Sequence, residues 1–329
     1  MTNPQIILVS RPQGMPTADN FAYRETPVPS LEKGSFLIEN QYISLDPAIR
    51  GWMNEGTTYI RGMALDAPVR AFALGKIIKS KNTDFKVGEY VNGLLGVQKY
   101  AISDGKGLTK VDVSKGKLSW HLGILGMPGM TAYFGLLERG QPKAGETVFI
   151  TGAAGIIGAT VGQIAKLKGC RVIGTAGSDS KCDYLKSIGF DVVINYKTEN
   201  IAERLAQNCP EKISILYDNV GGEQLDIGLA HLAQGARVVI CGAISQYNNT
   251  SIEGPKNYMK IVTARGTMTG IIVFDFLNRY PEAILQISTW LTEGVMKTQE
   301  DIYEGIKQFP EVFLKLFSGE NFGKLLIKI

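Results

Sequence analysis

The chain has 329 residues, of which 44% are hydrophobic and 20% are charged, and its formal net charge is +4. This composition is typical of a globular protein that is long enough for two domains with separate cores. So small a net charge, with no dense block of Lys or Arg, does not predict binding to nucleic acid.

The N-terminus and the cysteines indicate the compartment. The opening stretch MTNPQIILVSRPQG carries a charge and prolines where a secretory peptide needs an apolar core, so no export signal is predicted. The cysteines are far apart and form no C-x-x-C pair, which is typical of free thiols in a reducing compartment. They are Cys170, Cys182, Cys209 and Cys241. These features predict a cytoplasmic protein.

The sequence offers no ligand set for a metal ion. His121 and His231 are the two histidines, and neither lies in an H-E-x-x-H motif or completes a Cys/His set. No zinc or other metal is therefore predicted. The G-x-S-x-G and G-x-x-x-x-G-K-[ST] motifs are also missing, which argues against a serine hydrolase and a nucleoside triphosphatase.

Residues 1–122 predict a compact β-rich domain. Glycines and prolines separate short alternating segments, such as SFLIENQYISL and FKVGEYVNGLLGVQKYAIS, which are typical of strands joined by turns. No helix of convincing length is expected before Ser119. The final segment GKLLIKI alternates like a strand, so we expect residues 294–329 to return to this first domain.

Residues 123–293 predict a nucleotide-binding domain. Its β-branched runs are TVFIT at 147, RVIGT at 171, VVIN at 192, ISILY at 213 and RVVIC at 237. Helical patterns lie between them, at about 157–168, 180–188, 198–208 and 222–233, and a further helix is expected at about 281–293. This alternation predicts an α/β fold with a Rossmann-type doubly wound parallel sheet.

An uncharged run from Thr147 to Ala165 contains spaced glycines. Its length of about 19 residues would cross a bilayer, but the glycines and the Ala/Ile/Gln helix pattern favour strand, turn and helix, so no membrane span is predicted. A buried corner and a phosphate-binding turn both fit. Gly152, Gly155 and Gly158 form G-x-x-G-x-x-G directly after TVFIT, a variant of the dinucleotide fingerprint, which favours the phosphate turn.

The end of the second strand, VIGTAGSDSK, indicates which dinucleotide binds. An acidic residue at the tip would bind the ribose 2'-hydroxyl of NAD and repel a 2'-phosphate. The tip is uncharged here, and Ser178 and Lys181 follow as donors, so NADPH/NADP+ is favoured; the alternative for Lys181 is a solvated lysine. Asp179 argues against NADP unless its side chain caps the following helix.

Several segments occur together at characteristic separations. They are SLDPAIRGWMNE, LGMPGMTAYFGL, AAGIIGATVGQIAKLKGC, GSDSK, FDVVINYK, YDNVGG, VVICGAISQYN and GENFGK. Over nearly the whole chain they resemble the zinc-independent medium-chain dehydrogenases/reductases of the prostaglandin reductase (leukotriene B4 12-hydroxydehydrogenase) family, close to bacterial NADPH-dependent curcumin reductases and plant double-bond reductases. The resemblance implies a GroES-like (chaperonin-10-like) N-terminal domain.

The resemblance also implies a set of cofactor-binding positions. Those of the pyrophosphate turn are Gly155, Ile156, Ile157 and Gly158, while Lys181 matches the 2'-phosphate lysine and Tyr196 the residue beside the adenosine. Those near the nicotinamide are Asn219, Cys241, Gly242, Ala243, Ile244, Ser245, Ile271, Ile272, Val273 and Asn321. Structural alternatives are a turn residue for Asn219, a core thiol for Cys241 and a turn cap for Asn321.

The chemistry expected of such a site is reduction of a carbon–carbon double bond. Without zinc to polarise a carbonyl, an α,β-unsaturated ketone or aldehyde suits hydride transfer, with hydride added at the β-carbon and a donor stabilising the enolate. Tyr247 is the candidate donor, alone or with a ribose hydroxyl of the cofactor; a loop tyrosine with its hydroxyl exposed at the rim is the alternative. Arg50, Tyr59 and Met127 are candidates for the substrate wall, and core or surface roles fit them equally.

Two other functions fit the same residues. One is a zinc-free NADPH quinone reductase, and the other is a dinucleotide-binding protein without catalysis. The weak net charge and the intact motif set argue against the protein without catalysis. A small apolar enone or enal is the favoured substrate.

The segment GTMTGIIV at 266–273 bears on oligomeric state. It is apolar, β-branched and uncharged, and it would end the parallel sheet as an edge strand. Because an edge strand leaves backbone groups unpaired, we expect a homodimer through this edge of the Rossmann sheet.

Overall fold

The computed structural model describes all 329 residues and divides them into two compact units. Unit 1 consists of Met1–Gly123 and Glu300–Ile329, and unit 2 of Ile124–Gln299. The sequence placed the second change of unit after residue 293. In the structure the chain enters unit 1 again at Glu300, where a strand begins.

Unit 1 is built mainly from strands, and elements are numbered in chain order along the whole protein. Its strands are β1 (Thr2–Leu8), β2 (Phe21–Pro27), β3 (Phe36–Ser44), β4 (Ala73–Ser80), β5 (Tyr90–Gly93), β6 (Tyr100–Ser103), β7 (Thr109–Lys110), β14 (Glu300–Glu304) and β15 (Lys324–Lys328). Its helices are α1 (Ala48–Trp52) and α9 (Phe309–Ser318). β1 and β2 form an antiparallel pair; the larger sheet has the order β14-β15-β3-β4-β5-β7, with β6 beside β3.

The core of unit 1 joins the two ends of the chain. The apolar residues of α9 recur at helical spacing and bury Phe309, Val312 and Phe313. Phe309 and Phe313 both pack edge-on against Phe21 of β2. β15 pairs antiparallel with β3, with Ile327 opposite Ile43, so the tail returns to unit 1.

Unit 2 confirms the predicted doubly wound parallel sheet. Its strands are β8 (Thr147–Ile150), β9 (Arg171–Ala176), β10 (Val192–Asn195), β11 (Ile213–Asp218), β12 (Leu232–Ile240) and β13 (Thr267–Gly270). Its helices are α2 (Met127–Phe134), α3 (Ile156–Leu167), α4 (Asp179–Ser187), α5 (Ile201–Asn208), α6 (Gly222–Ala230), α7 (Lys260–Ala264) and α8 (Tyr280–Thr292). The order β10-β9-β8-β11-β12-β13, parallel throughout, is that of the Rossmann fold.

Two boundaries differ from the sequence prediction. The helix expected at 222–233 ends at Ala230, because β12 already begins at Leu232 and pairs there with Ile213. The helix expected at 198–208 begins at Ile201, where the Asn200 side chain accepts a hydrogen bond from the Glu203 amide as an N-cap.

The uncharged run at 147–165 is divided between β8, a turn and α3, whose helix is 12 residues long. The structure contains no helix that combines the length and the hydropathy needed to span a membrane.

Candidate cofactor and active site

The candidate site lies at the carboxyl edge of the unit 2 sheet. Chain order reverses between the neighbouring strands β8 and β11, and ligands bind outside such a switch point in open α/β sheets. The candidate residues that follow the strands by one or two positions are Gly152 after β8, Gly177 and Ser178 after β9, Tyr196 after β10, Asn219 after β11 and Cys241 after β12. Parallel strands bring these positions to one edge.

Each glycine of the turn after β8 has a different steric role. Gly152 has a φ of +59°, a conformation that favours glycine. A Cβ on Gly158 would lie 2.6 Å from Cα of Ala153, so this glycine lets α3 pack against its own turn. A Cβ on Gly155 would meet only the Gly152 carbonyl oxygen, at 3.5 Å. The space beside Gly155 is therefore open for a phosphate group.

The N-terminus of α3 presents backbone donors. Gly155 is its N-cap and supplies no side-chain hydrogen bond. Since the first amides of a helix have no acceptor within the helix, those of Ile156, Ile157 and Gly158 point outward with the positive end of the helix dipole. This arrangement fits the pyrophosphate of a dinucleotide.

A buried polar network fixes Asn219 beside this turn. Thr151 Oγ1 donates to the Asp218 carboxylate at 2.6 Å, and the Asn219 amide donates to Thr151 Oγ1 at 2.9 Å. The Gly221 amide also donates to Asp218, at 2.9 Å. Burial raises the pKa of Asp218 above its usual range, and these donors offset that effect in part.

Of the two polar atoms of the Asn219 side chain, one has a hydrogen-bond partner and the other has none. Its Nδ2 donates to the Thr151 carbonyl at 2.8 Å, whereas its Oδ1 is buried without a hydrogen-bond partner. A buried acceptor without a donor is costly. Asn219 thus fits a ligand that brings a donor, as the carboxamide and ribose hydroxyls of a nicotinamide nucleotide do.

At the tip of β9 the structure corrects the expectation that the Asp179 side chain caps the following helix. The N-cap of α4 is Ser178, which accepts from the Lys181 amide at 3.4 Å, and not Asp179. The Asp179 carboxylate instead accepts from Asn195 Nδ2 at 2.8 Å, because Asn195 ends the neighbouring strand β10. The Tyr196 hydroxyl covers Gly177, where a Cβ would lie 2.7 Å away.

The loop after β12 lies along residues 218–220. The Cys241 amide donates to the Asp218 carbonyl at 2.8 Å, the Ile244 amide to the Asn219 carbonyl at 3.3 Å, and the Ser245 amide to the Val220 carbonyl at 3.1 Å. These hydrogen bonds fix the loop after β12 against the polar network around Asp218 and Asn219. Gly242 and Ala243 lie in the same loop.

Tyr247 turns back over this loop. Its hydroxyl oxygen accepts a hydrogen bond from the Ala243 amide at 3.2 Å, and a Cβ on Gly242 would lie 3.0 Å from it. These contacts fix the position of the phenol at the carboxyl edge of the sheet. Cys241 has no comparable chemistry, because burial raises the pKa of its thiol to about 12 and keeps it neutral.

The segment Ile271–Val273 follows β13 and continues the same edge. The Ile271 amide donates to the Ile240 carbonyl at 3.2 Å, next to the start of the Cys241 loop. Ile271 and Val273 are buried, whereas Ile272 is 37% exposed. The segment thus adds an apolar wall beside the end of β12.

The remaining candidates have different surroundings. In unit 1, Arg50 is only 3% exposed and donates to the Gly14 carbonyl and Asn54 Oδ1, so its guanidinium stabilises loops. Tyr59 is half exposed, and its hydroxyl accepts from Trp52 Nε1 at 2.9 Å. Asn321 Nδ2 donates to the Gly323 carbonyl at 3.5 Å. In unit 2, Met127 begins α2.

Sequence reasoning did not identify the residues that hold the candidate side chains in position. Thr151 and Asp218, which hold Asn219, were not among the predicted residues, and the contact of the Ala243 amide with the Tyr247 hydroxyl was not predicted either. Asp218 gave a usable signal, because it directly precedes Asn219 at the end of a buried strand in YDNVGG. As for metals, no group of three or more His, Cys, Asp or Glu residues is placed to hold an ion.

Comparisons with known proteins agree with this geometry. Residues 4–111 match the sequence profile described as N-terminal domain of oxidoreductase, and residues 157–289 the profile described as zinc-binding dehydrogenase. The NADPH-dependent curcumin reductase of Escherichia coli is 38% identical over 99% of this chain and 97% of its own. The NADP(+)-dependent 2-alkenal reductase of Nicotiana tabacum is 36% identical over 100% and 98%.

A solved structure with bound cofactor is similar as well. The crystal structure of CurA from Vibrio vulnificus in complex with NADPH is 40% identical and superposes with a TM-score of 0.94, covering 99% of this chain and 98% of that one. These similarities extend over both units and confirm the resemblance seen in the sequence motifs. The chain belongs to the zinc-independent medium-chain dehydrogenase/reductase family.

Proposed function

We propose that this protein reduces the carbon–carbon double bond of α,β-unsaturated ketones and aldehydes, with NADPH as the reductant. The observation that carries the proposal is the placement of Tyr247. Its hydroxyl oxygen is oriented by the Ala243 amide at the carboxyl edge of the sheet, in the loop that is proposed to contact the nicotinamide. Such a donor suits a substrate whose carbonyl oxygen gains negative charge during the reaction.

The residues of unit 2 would hold NADPH along the sheet edge. The N-terminus of α3, from Gly155 to Gly158, binds the pyrophosphate; Ser178, Lys181 and Tyr196 surround the 2'-phosphate and adenosine. The nicotinamide end contacts Asn219, Cys241, Gly242, Ala243, Ile244, Ser245, Ile271, Ile272 and Val273. The open acceptor of Asn219 supports this orientation.

When bound, NADPH supplies the hydride that the β-carbon of the enone receives. Tyr247 donates a hydrogen bond to the carbonyl oxygen, and this bond strengthens as the enolate forms. Solvent then supplies the proton that the α-carbon takes up to give the saturated product. Because the donor is already oriented by Ala243, little reorganisation is needed in the transition state. A ribose hydroxyl of the cofactor can share this role.

The relatives support the choice of substrate. One is named for the reduction of 2-alkenals, which are α,β-unsaturated aldehydes, and another for curcumin; both are named for NADP cofactors. Met127, which begins α2, is proposed as a wall residue of the substrate pocket. Tyr59 and Arg50 of unit 1 stay predictions from the sequence.

A direct assay distinguishes this activity from its alternatives. NADPH oxidation is measured with a medium-chain 2-alkenal, an aliphatic enone and a simple quinone, and the products are identified by mass spectrometry. We expect the enal and enone to be turned over fastest and to yield saturated carbonyl compounds. Faster turnover of the quinone would indicate a quinone reductase, and tight NADPH binding without turnover a non-catalytic protein.

The protein is further proposed to form a homodimer in the cytoplasm. β13 is the last strand of its sheet and pairs only with β12, while Thr267 and Met268 are exposed along it. All four cysteines are free thiols, which suits a reducing compartment. Sedimentation velocity at micromolar concentration should show a dimer, and Met268→Lys should convert it to monomer; a wild-type protein that sediments only as monomer would contradict the interface.

A further inference from the structure

Unit 1 contains a half-open cavity of about 610 Å³, and none of its lining residues is among those to which we assign a role in the reaction. This volume lies within the range of small-molecule sites. Its charged lining consists of Arg11, Arg61, Arg70 and Glu55, and its apolar lining includes Met63 and Ala64. The cavity therefore combines several cations with an apolar surface.

The loop at 54–63 gives the cavity a fixed wall. The Gly62 amide donates to the Gly56 carbonyl at 2.8 Å, and the Met63 amide to the Trp52 carbonyl at 2.8 Å. A Cβ on Gly62 would lie 2.3 Å from the Asn54 carbonyl oxygen, so only glycine permits this closure. The wall is set by the backbone before any ligand binds.

Two of the arginines are anchored by neutral groups. Arg11 donates through Nη1 to the Met53 carbonyl at 2.5 Å and through Nη2 to the Met63 carbonyl at 2.9 Å. Arg70 Nη1 donates to the Arg61 carbonyl at 2.5 Å. These bonds orient the two guanidinium groups but leave their charge uncompensated, because a carbonyl carries no formal charge.

The lining has an excess of positive charge. No ion pair of the structure includes Arg11, Arg61 or Arg70. Glu55 is the one carboxylate of the lining, against three guanidinium groups. Guanidinium groups bind carboxylates and phosphates through paired hydrogen bonds, which are among the stronger polar contacts in proteins.

We propose that this cavity binds the oxyanion group of a small organic acid, a carboxylate or a phosphate, with Arg61 and Arg70 as its main contacts. Met63 and Ala64 receive the apolar part of the ligand. The binding is independent of the reduction of double bonds, so it can be tested whatever the reaction proves to be.

The test is calorimetric titration of the NADP+-saturated protein at low, fixed ionic strength. Saturation with NADP+ occupies the phosphate positions of the cofactor site, which would otherwise bind the probes. Hexanoate, methyl hexanoate and inorganic phosphate are titrated separately. We expect saturable binding of hexanoate or phosphate, the tighter one identifying the oxyanion, and none of the neutral ester.

Two substitutions of opposite sign locate the site. The Arg61 side chain makes no hydrogen bond within the protein, so Arg61→Gln should fold normally and weaken anion binding roughly tenfold. Glu55→Gln removes the opposing charge and should strengthen binding by about two- to fivefold. Lys33→Gln, at an exposed lysine elsewhere in unit 1, should leave the affinity unchanged.

Two results would overturn the proposal. One is the absence of saturable binding for both anions. The other is binding that Arg61→Gln and Glu55→Gln leave equal to that of the wild type, since the anion would then be attracted by surface charge in general and not by this cavity.

Discussion

The two units build their candidate sites in different ways. In unit 2 the site is made mostly by the backbone: the turn at Gly152, the open space beside Gly155 and the amides that begin α3. In unit 1 the charged groups of the cavity are long side chains that come from separate segments, such as Arg11 and Arg70. A site made by backbone leaves a local glycine pattern in the sequence, whereas a site made by distant side chains leaves none.

The two units also differ in how they stabilise a buried carboxylate. Asp218 in unit 2 is satisfied by a hydroxyl and by amides, without a cation. Asp46 in unit 1 pairs with Lys324, whose Nζ donates to the carboxylate at 3.0 Å and to the Leu45 carbonyl at 3.0 Å. Lys324 is only 2% exposed, so this pair joins β15 to the segment before α1 inside the core.

The largest expected effect tests that pair. Lys324→Met leaves the Asp46 carboxylate buried without its cation, and we expect a loss of stability of about 3 to 5 kcal/mol, seen as a lower urea midpoint for unit 1. Lys328→Met is the matched control on the same strand. Lys328 pairs with Glu304 at the surface, with side chains 51% and 77% exposed, and should contribute about 0 to 1 kcal/mol.

Equal stability of Lys324→Met and Lys328→Met would show that the buried Asp46 carboxylate does not depend on the Lys324 cation for its stability. The double substitution Lys324→Met with Asp46→Leu sharpens the result. It should recover part of the lost stability, because no isolated charge is then left in the core.

The second prediction concerns the one side chain of unit 2 to which we assign chemistry. Tyr247→Phe keeps the ring but removes the donor to the enolate oxygen, so kcat should fall by about 10-fold to 1000-fold with a smaller change in KM. NADPH affinity should be almost unchanged. Tyr258→Phe, at a tyrosine 57% exposed in the same unit, should have no effect. Near-normal kcat in Tyr247→Phe would assign the role to the ribose hydroxyl.

The third prediction tests the choice of cofactor. Lys181→Ala removes a cation from the 2'-phosphate, so NADPH binding should weaken by about 1 to 3 kcal/mol while NADH binding hardly changes. Lys186→Ala, in the last turn of the same helix α4, is the control and should leave both affinities unchanged. Fluorescence titration with the two cofactors measures this difference. Equal weakening for both would remove Lys181 from the phosphate site.

The fourth prediction separates two glycines of one turn. Gly158→Ala places a Cβ 2.6 Å from Cα of Ala153 and should cost about 1 to 3 kcal/mol of stability. Gly155→Ala meets no such contact and has an ordinary φ of −71°, so the Tm should be kept while NADPH affinity falls roughly tenfold. A Gly155→Ala protein that binds NADPH normally would show that the pyrophosphate does not approach there.

The sequence by itself determined the features that depend on near neighbours. The alternation of strands and helices from TVFIT onward, the turn at Gly152, and an uncharged tip after β9 are all local, because strand and helix periods and steric demands involve residues a few positions apart. They were sufficient to predict the Rossmann sheet, whereas the family was identified by the resemblance of motifs along nearly the whole chain. The end of the helix at 222–233 was wrong because the pairing of Leu232 with Ile213 decides it.

Only the tertiary structure decided which partner each polar side chain has. Asp179 accepts from Asn195 across two strands, Arg50 is buried against the loop at Gly14, and Lys324 finds Asp46 from the far end of the chain. None of these pairings leaves a period or a spacing in the sequence. The free energy of a buried polar group depends on what folding places within hydrogen-bond distance of it, and that is set by the packing of the whole unit.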